Sequence, residues 1–527
     1  MSEAFDVVVV GGGHNGLVTA AYLARAGRRV VVLEKRAAVG GPVTTEEIAP
    51  GFRGPTGASV CGPLRPQILE DLNLAGRGVR FLPVDPRVVS IGDSKVLRMW
   101  RDVGRTKSEL SAISAKDADA YPRFVGFLRL FGQTVEPVLA MTPPNVVSPS
   151  LGEEWTLLRR ALRLRRLGKH TMQQMLRLPP MSVRDALNEW FETDLLKASL
   201  AVDALFGTFE GPWSPGTAFG LIREFASEGN GTAGSFVRGG MGNLASALAA
   251  AARDAGATIR TETEVRCIRS DEGRVTGVEL ASGETIDARV VASNADPKRT
   301  FLRLVPSDEL SPEFLNRIRN FEMNGVVAKV NFALDGKPSI AVLAEGLPAR
   351  FRVCPSLEYI ERAFDDAKYG KTSNEPILDV SVPTVLDPDL APPGKHIVSV
   401  LVQYAPYVLR QTKWDTEAPK LADRVEGILE DHLPGFETLI AARQVLTPAD
   451  LETRFGLTEG HIYHGEMTLD QSFVLRPVPG WSQYRTPVEG LYLCGSGASP
   501  GGGITGAPGY NAAHEILRDW PRFASAA

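Results

Sequence analysis

The sequence predicts an α/β fold built on a parallel sheet, and three observations near its start predict it. The run Phe5-Asp6-Val7-Val8-Val9-Val10 is β-branched and uncharged after Asp6, as expected of a strand buried on both faces. Gly11-Gly12-Gly13-His14-Asn15-Gly16 follows directly and opens an apolar helix that ends near Gly27. A second strand covers residues 28–33 and leads to Glu34. Strand, glycine loop, helix, strand and acid are thus in the order of a dinucleotide-binding unit.

Each glycine of this pattern has a physical purpose. Gly11 permits the tight turn, Gly13 lets the backbone approach a diphosphate, and Gly16 lets the helix pack closely on the strand. Amides at the helix start bind the diphosphate, and Glu34 accepts hydrogen bonds from a ribose diol. The alternative is a glycine loop that binds nothing. The cofactor-binding residues predicted in this unit are Gly11, Gly13, His14, Asn15, Gly16, Glu34, Lys35 and Arg36.

Further segments favour FAD over NAD. The pair Gly40-Gly41 follows the acid closely and resembles a loop that returns to the flavin diphosphate, although an ordinary loop is the alternative. A helix after Gly239-Gly240-Met241-Gly242 and the strands that follow it resemble the second half of an FAD domain. By this resemblance the backbone of Val265 meets the adenine, and a hairpin scaffold without ligand contact is the alternative.

A second glycine cluster lies near the end of the chain. The segment Leu491–Gly509 reads as a strand that ends in glycines and then a glycine-rich loop before a final helix from about Tyr510. Backbone amides at such a helix start face an electron-rich group, here the flavin ring or its ribityl chain. The residues predicted to contact the cofactor are Gly495, Ser496, Gly503, Ile504 and Thr505.

These segments, together with Gly465-Glu466-Met467-Thr468-Leu469-Asp470-Gln471, resemble the phytoene-desaturase-like FAD-dependent oxidoreductases nearly end to end. Within that family they resemble the branch called pyridine nucleotide-disulfide oxidoreductase domain-containing protein 2, with residues 64–68 as support. The chain departs from many relatives at Ser496, where they have an acid, and at Ser499, where they have His. It also lacks the redox cysteine pair and second nucleotide motif that a disulfide reductase needs.

The resemblance implies a Rossmann-like FAD-binding domain of the glutathione-reductase type, interrupted by a substrate domain of mixed sheet and helices. We expect FAD-binding segments at residues 1–105, 236–320 and 461–527, a helical cap at 106–235, and a sheet-rich substrate domain at 321–460.

Few residues stand out as catalytic. His464 lies just before the C-terminal FAD segment and is predicted to be a base or a substrate hydrogen-bond donor, with a structural histidine as the alternative. Trp213, Phe219 and Tyr463 are candidates for the substrate pocket. An aromatic cage of Tyr484 and Tyr510 is disfavoured because Tyr510 lies beyond the glycines. No metal site is expected.

The composition limits the possible partners. There are 58 Lys and Arg against 62 Asp and Glu, so the net charge of −4 argues against a nucleic-acid binder. No long apolar segment or leader peptide is visible, and we expect a soluble, cytoplasmic protein, for which a homo-oligomer is possible. The stretch Arg159–Lys169 alternates basic and apolar residues, which suits peripheral membrane contact, a solvated helix face or a subunit contact.

The sequence thus predicts an FAD-dependent dehydrogenase or desaturase that transfers hydride from a lipophilic organic substrate to the flavin. Oxygen or a quinone would accept the electrons. The alternatives are a redox-neutral polyene isomerase, an amine oxidase, and an FAD-bearing scaffold protein with little turnover.

Overall fold

The computed structural model describes residues 4–92, 95–145, 149, 151–227, 231–341, 343 and 346–524 of the 527-residue chain. Its strands are β1 (Ala4–Val10), β2 (Val30–Leu33), β3 (Glu46–Ala49), β4 (Phe52–Gly54), β5 (Phe81–Leu82), β6 (Val88–Ile91), β7 (Val96–Met99), β8 (Phe236–Val237), β9 (Thr258–Arg260), β10 (Val265–Asp271), β11 (Arg274–Leu280), β12 (Thr285–Ser293), β13 (Val327–Leu334), β14 (Arg350–Val353), β15 (Ile377–Ser381), β16 (His396–Gln403), β17 (Ile440–Leu446) and β18 (Leu491–Leu493).

The α-helices are α1 (His14–Arg25), α2 (Pro66–Asp71), α3 (Val103–Ser111), α4 (Ala115–Leu139), α5 (Leu151–Arg166), α6 (Lys169–Arg177), α7 (Val183–Asn188), α8 (Asp194–Leu205), α9 (Ala218–Ser227), α10 (Met241–Asp254), α11 (Pro297–Arg299), α12 (Pro312–Arg319), α13 (Leu357–Lys368), α14 (Trp414–His432), α15 (Phe436–Leu439), α16 (Pro448–Phe455) and α17 (Ala507–Ala524).

The first sheet carries the predicted nucleotide-binding unit. Its strand order is β10-β11-β12-β1-β2-β9, and β18 pairs with the end of β12. β1 is parallel to β2 and β12, and its residues Val7–Val9 are fully buried. Helices α1, α10 and α17 pack against this sheet. The segment after the second insertion therefore returns through β18 to the sheet that the first residues begin, as the predicted fold class requires.

The second sheet forms the substrate domain. Its order is β17-β13-β16-β15-β14-β6-β7, antiparallel except where β14 lies parallel to β6. Apolar side chains of β13, such as Val330 and Phe332, share a core with the buried residues Leu421, Val425 and Leu429 of α14. A second core joins α4, α7, α8, α9 and α13. The second sheet is therefore covered by α14 on one face and lies close to a helical layer.

The other face of this sheet is partly polar. Lys329 and Asn331 alternate with Val330 and Phe332 along β13, so their side chains lie on the opposite face. This face is turned toward the first domain, since the Lys329 ammonium donates to the Gly57 carbonyl and to Ser59.

Two sequence expectations differ from the structure. Residues 88–91 and 96–99, assigned to the FAD-binding segment 1–105, form β6 and β7 of the second sheet, because β6 pairs in parallel with β14, which lies far along the chain. Within the helical cap the sequence predicts a helical stretch over residues 110–121, and the structure has two helices there, since the Ser114 side chain accepts a hydrogen bond from the Asp117 amide and starts α4. Both differences depend on local capping or distant pairing that apolar periodicity does not reveal.

Two glycines of α4 provide a test of the helical packing. A Cβ on Gly132 would lie 2.6 Å from the Cα of Ala226 on α9, whereas a Cβ on exposed Gly126 would meet nothing within 4 Å. We expect Gly132→Ala to lower the melting temperature, since overpacking costs about 1–3 kcal/mol. Gly126→Ala should raise it, because alanine favours helix by about 1 kcal/mol. Calorimetry of both variants checks this, and shifts of the same sign would contradict the packing.

Candidate active site

The first glycine loop connects β1 to α1, and its backbone is closely packed. Gly11 has φ of +95°, and a Cβ on Gly16 would lie 2.3 Å from the Gly11 carbonyl oxygen. The N-cap of α1 is Gly13, which offers no side chain to the first-turn amides. The amides at the start of α1 can therefore donate to an acceptor outside the protein. A Cβ on Gly13 would lie 2.5 Å from Asn294 Nδ2, so there is no space for a larger residue at this position.

Glu34 is fixed at the end of β2 by two backbone donors. The Gly12 amide donates to Oε2 at 2.8 Å, and the Arg36 amide donates to Oε1 at 2.9 Å. The carboxylate is buried, and each oxygen keeps a further lone pair. The predicted acid therefore stands beside the glycine loop, where a ribose diol can donate to it.

The second glycine pair packs on the first loop. The Gly40 amide donates to the Gly12 carbonyl at 2.8 Å, and a Cβ on Gly41 would lie 3.7 Å from the Gly13 Cα. Both glycines have positive φ. The two loops thus form one backbone cradle for a phosphate group.

The side chains next to this cradle are engaged with protein groups. Lys35 Nζ donates to the Thr453 carbonyl at 3.3 Å, and Arg36 donates to the Gly41 carbonyl and pairs with Glu46. Val265 is buried at the start of β10, two residues beyond the amide of Thr263, which donates to the Glu34 carbonyl. The predicted cofactor contacts of Lys35, Arg36 and Val265 remain predictions.

The C-terminal loop comes to the start of α1. Asn15 Nδ2 donates to Ser496 Oγ at 3.2 Å, and a Cβ on Gly495 would lie 2.6 Å from the Asn294 carbonyl oxygen. The final helix begins at Ala507, three residues before the predicted start. Gly503, Ile504 and Thr505 lie just before it; the first two have positive φ, and all three line the same cavity as Asn15.

A cavity of about 370 Å³ lies where these loops meet the substrate domain. It brings together the predicted residues Gly13, His14, Asn15, Phe219, Tyr463, His464, Ser496, Gly503, Ile504 and Thr505. Trp213 lies outside the cavity wall, because it is held half-buried beside the guanidinium of Arg184. Tyr484 and Tyr510 do not line the cavity either: Tyr484 is buried and donates to the Ser499 carbonyl, so no aromatic cage forms from this pair.

His464 is half-buried in the cavity wall and has φ of +58°. Burial lowers the pKa of His464 to about 4, against the opposing attraction of Asp296. Burial, with repulsion from His464, also lowers the pKa of His14 to about 4. Both rings are neutral at neutral pH, and within the described residues neither His464 Nδ1 nor His14 Nε2 has a hydrogen-bond partner.

Arg476 holds His464 in place, and sequence analysis missed it. The buried guanidinium donates to the carbonyls of Tyr463 and Glu466 at 3.0 and 2.7 Å and to the Ser496 carbonyl at 2.9 Å. One side chain thus ties the segment around His464 to the C-terminal glycine loop. The arginine follows a short 3₁₀ turn with no motif, so the sequence carries no signal for this role.

Lys329 is the second residue that sequence analysis missed. Its ammonium donates to the Gly57 carbonyl at 2.9 Å and to Ser59 Oγ at 2.7 Å, and burial lowers its pKa to about 7. A signal was present, since Lys329 and Asn331 interrupt an otherwise apolar strand. A buried lysine that exchanges protons near neutral pH suits acid–base chemistry.

The site residues fit a flavin dinucleotide. The glycine cradle has no space for a Cβ at Gly13, which would meet Asn294, or at Gly40, which would meet the Val43 carbonyl, and Glu34 lies beside the first loop. Buried Asn15 Oδ1 and His14 Nε2 have no partner within the described residues, which is expected where a ligand supplies one. Among the described residues, no helix is long and apolar enough to cross a bilayer. The same residues contain no group of three or more His, Cys, Asp or Glu side chains that could hold a metal ion.

The chain is similar to known proteins along nearly its whole length. The family described as flavin containing amine oxidoreductase matches residues 16–517. The chain is 39% identical to the rat pyridine nucleotide-disulfide oxidoreductase domain-containing protein 2, over 98% of this chain and 94% of the relative. It is 29% identical to one subunit of the limonene dehydrogenase of Castellaniella defragrans, over 98% and 94% of the two chains. It is 27% identical to the lycopene-forming phytoene desaturase of Pseudescherichia vulneris, over 95% and 96%.

The fold agrees with a solved structure as well. Wild-type putrescine oxidase bound to putrescine superposes with a TM-score of 0.62 at 15% identity, over 98% of this chain and 99% of that one. This likeness concerns the fold, which confirms the expected FAD-binding domain with an inserted substrate domain. The resemblance to phytoene-desaturase-like flavoproteins is also confirmed. The chain therefore belongs to the flavin-containing amine oxidoreductase family and is an FAD-dependent oxidoreductase.

Proposed function

We propose that the protein is a dehydrogenase that removes hydrogen from a small organic substrate held in the cavity between the glycine loops and the substrate domain. The observation that carries the proposal is the position of neutral His464 and of Lys329 in the wall of that cavity. The names of two relatives, a dehydrogenase and a desaturase, support it. Oxygen or a quinone is the proposed electron acceptor.

FAD supplies the hydride acceptor when it is bound. The protein binds and orients the substrate with the aromatic rings of Phe219 and Tyr463, and the apolar side chains of the cavity lining exclude water around them. Lys329 Nζ, with a pKa near 7, is suited to take or return a proton. His464 has too low a pKa to be an effective base at neutral pH, so its Nδ1 serves as a hydrogen-bonding position for the substrate.

An isomerase, an amine oxidase and a scaffold remain rival functions. An isomerase would use the same site without net oxidation. A scaffold protein would not need a lysine that exchanges protons in the cavity wall. The presence of Lys329 there therefore favours an enzyme over a scaffold. The names of the two relatives, a dehydrogenase and a desaturase, favour net oxidation over isomerisation, and substrate oxidation is therefore the function best supported.

The first prediction concerns the cofactor. We expect the purified protein to be yellow and Gly13→Val to lose FAD, because the added side chain fills the space between the loop and Asn294. Flavin absorbance per protein measures this, and acid precipitation should release the FAD. Gly126→Ala is the control with full flavin content. A Gly13→Val protein that retains a full complement of FAD would contradict the assignment of this loop.

The second prediction separates dehydrogenase from scaffold. In anaerobic mixing with a panel of lipophilic alkenes, polyenes, acids and amines, at least one compound should bleach the flavin absorbance. We expect Lys329→Met to slow this bleaching about 100-fold, the lower range for acid–base catalysis, whereas exposed Lys337→Met should not. Rearrangement of a polyene by the reduced enzyme without net electron transfer would instead favour the isomerase. Equal rates for both variants and the wild type would refute the role of Lys329.

We also propose that α5 and the start of α6 contact a membrane surface. The predicted basic stretch is broken at Gly168, between α5 and α6. The side chains of residues 161 and 163 lie outside the described part of the chain. Trp155, Leu158 and Leu162 repeat at helical spacing and are 55%, 47% and 45% exposed. Apolar side chains that face outward beside exposed arginines suit an anionic bilayer surface.

The third prediction tests this contact. The protein should sediment with anionic vesicles at low salt and dissociate as salt rises, since the attraction is screened over about 10 Å at 0.1 M. Replacing Arg159 and Arg166 with Gln should reduce binding by about 1 kcal/mol per charge, with FAD content unchanged. The matched control replaces Arg266 and Arg274, on the β10–β11 hairpin, with Gln. If the protein sediments equally with neutral vesicles, or if the control variant loses as much binding, the membrane contact is wrong. The basic stretch is then a solvated helix face or a subunit contact.

A further inference from the structure

We propose that the substrate carries an anionic oxygen group, a carboxylate or a phosphate, and that a cluster of charged side chains in the cavity wall binds it. This proposal rests on the proposed dehydrogenase function and narrows its substrate class. The cluster, called the ionic cluster below, comprises the cavity-lining residues Asp203, Arg223, Glu224, Lys329, Arg350, Arg352 and Asp379.

The ionic cluster lies between a helical layer and the second sheet. Asp203 is on α8, Arg223 and Glu224 are on α9, and the other members are on β13, β14 and β15. Arg350 and Arg352 are two residues apart on one strand, so their side chains leave the same face of the sheet. Five elements therefore contribute charged groups to one wall of the cavity. Burying a charge costs free energy unless a partner compensates it, so the partners of each group matter.

The carboxylates of the sheet and of α8 are occupied by arginines. Arg350 forms a two-point contact with Asp379, with Nε donating to Oδ1 at 3.0 Å and Nη2 to Oδ2 at 2.5 Å. Arg352 Nη2 donates to Asp203 and lies 3.4 Å from Asp379 Oδ2. Arg87 lies 3.6 Å from Asp203. Each of these two aspartates thus faces two guanidinium groups, and a substrate ammonium would have to compete with them.

Positive charge is in excess at this wall. Among the described residues of the ionic cluster, four are basic and three are acidic, and Arg65 and Glu136 elsewhere in the cavity lining carry opposite charges. Burial and the nearby Asp203 raise the pKa of Glu224, against the opposing effect of Arg87, Arg350 and Arg223. His14 and His464, also in the wall, are neutral. The balance favours an anion, and the Nε atom of buried Arg352 has no partner within the described residues.

Apolar residues also line the cavity, with Phe206, Phe219, Leu401, Leu457 and Ile462 among them. Arg223 lies where the ionic cluster meets the aromatic part of the cavity lining, since its guanidinium is 5.5 Å from the centre of the Tyr463 ring. Arginine offers a planar fork that matches a carboxylate or a phosphate. The geometry therefore fits an amphipathic substrate with an apolar body and one anionic end, rather than a pure hydrocarbon.

Ligand binding to the oxidised FAD-loaded protein tests the proposal without turnover. The probes are 4-phenylbutyrate, 4-phenylbutanol and 4-phenylbutylamine, which share a shape and differ in charge, and phenyl phosphate separates phosphate from carboxylate. Changes in flavin absorbance give each Kd. We expect an anion to bind at least about tenfold more tightly than the alcohol, as for a hydrogen bond to a charged group. Equal Kd values for acid and alcohol, or tightest binding of the amine, would overturn the proposal.

Variants locate the binding group. Arg223→Gln should raise the Kd of the anionic probe about tenfold and leave that of the alcohol unchanged, with FAD content and melting temperature preserved. Arg350→Lys, which keeps the charge but not the fork, is the second variant and should weaken the anion less. Arg184→Gln, outside the cavity, is the matched control. An unchanged Kd in both cavity variants would overturn the role of the ionic cluster.

The two proposals fail in different ways. If the anionic probe binds as expected but no compound of the panel bleaches the flavin, the dehydrogenase function is wrong and the anion site stands. If a compound without an anionic group bleaches the flavin and binds more tightly than its acid analogue, the anion site is wrong and the dehydrogenase function stands.

Discussion

Close approach of backbone to backbone at the glycine loops is the constraint on which the rest of the structure depends. A Cβ on Gly16 would meet the Gly11 carbonyl, one on Gly57 would meet the Pro42 carbonyl, and one on Gly62 would meet the Gly503 carbonyl. These contacts bring the start of α1, the second glycine pair and the C-terminal loop together. They leave amides directed at a shared space, because no side chain lies between the chains to accept them.

The interior of the site combines neutral and charged polar groups for different reasons. The two histidines are surrounded by protein without a counter-charge strong enough to hold a proton, so burial keeps them neutral. Arg350 and Arg352 of the ionic cluster form ion pairs with Asp203 and Asp379, which stabilise these buried charges. Arg476 is different again, since carbonyl oxygens rather than carboxylates accept its hydrogens and it serves to hold the loop of His464.

Sequence analysis found the residues that belong to a short sequence pattern and missed those whose role depends on contacts between distant segments. The βαβ unit and Glu34 follow from spacing within a short segment, and the structure places Glu34 beside the loop as expected. Trp213 was selected only as an aromatic residue, and its ring lies beside Arg184 rather than in the cavity. Lys329 lies far along the chain from Gly57 and Ser59, and only the folded sheet brings it to them.

The sequence by itself determined the α/β class, the nucleotide-binding loop and the cofactor, because glycine positions and strand patterning act over a few residues and have few alternatives. Only the tertiary structure decided which side chains face the substrate, that β6 and β7 belong to the second sheet, and that one cavity wall is ionic. Those outcomes depend on pairing between distant strands and on the mutual neutralisation of buried charges. Neither is encoded in any single segment, since each exists only when the partner surface is in place.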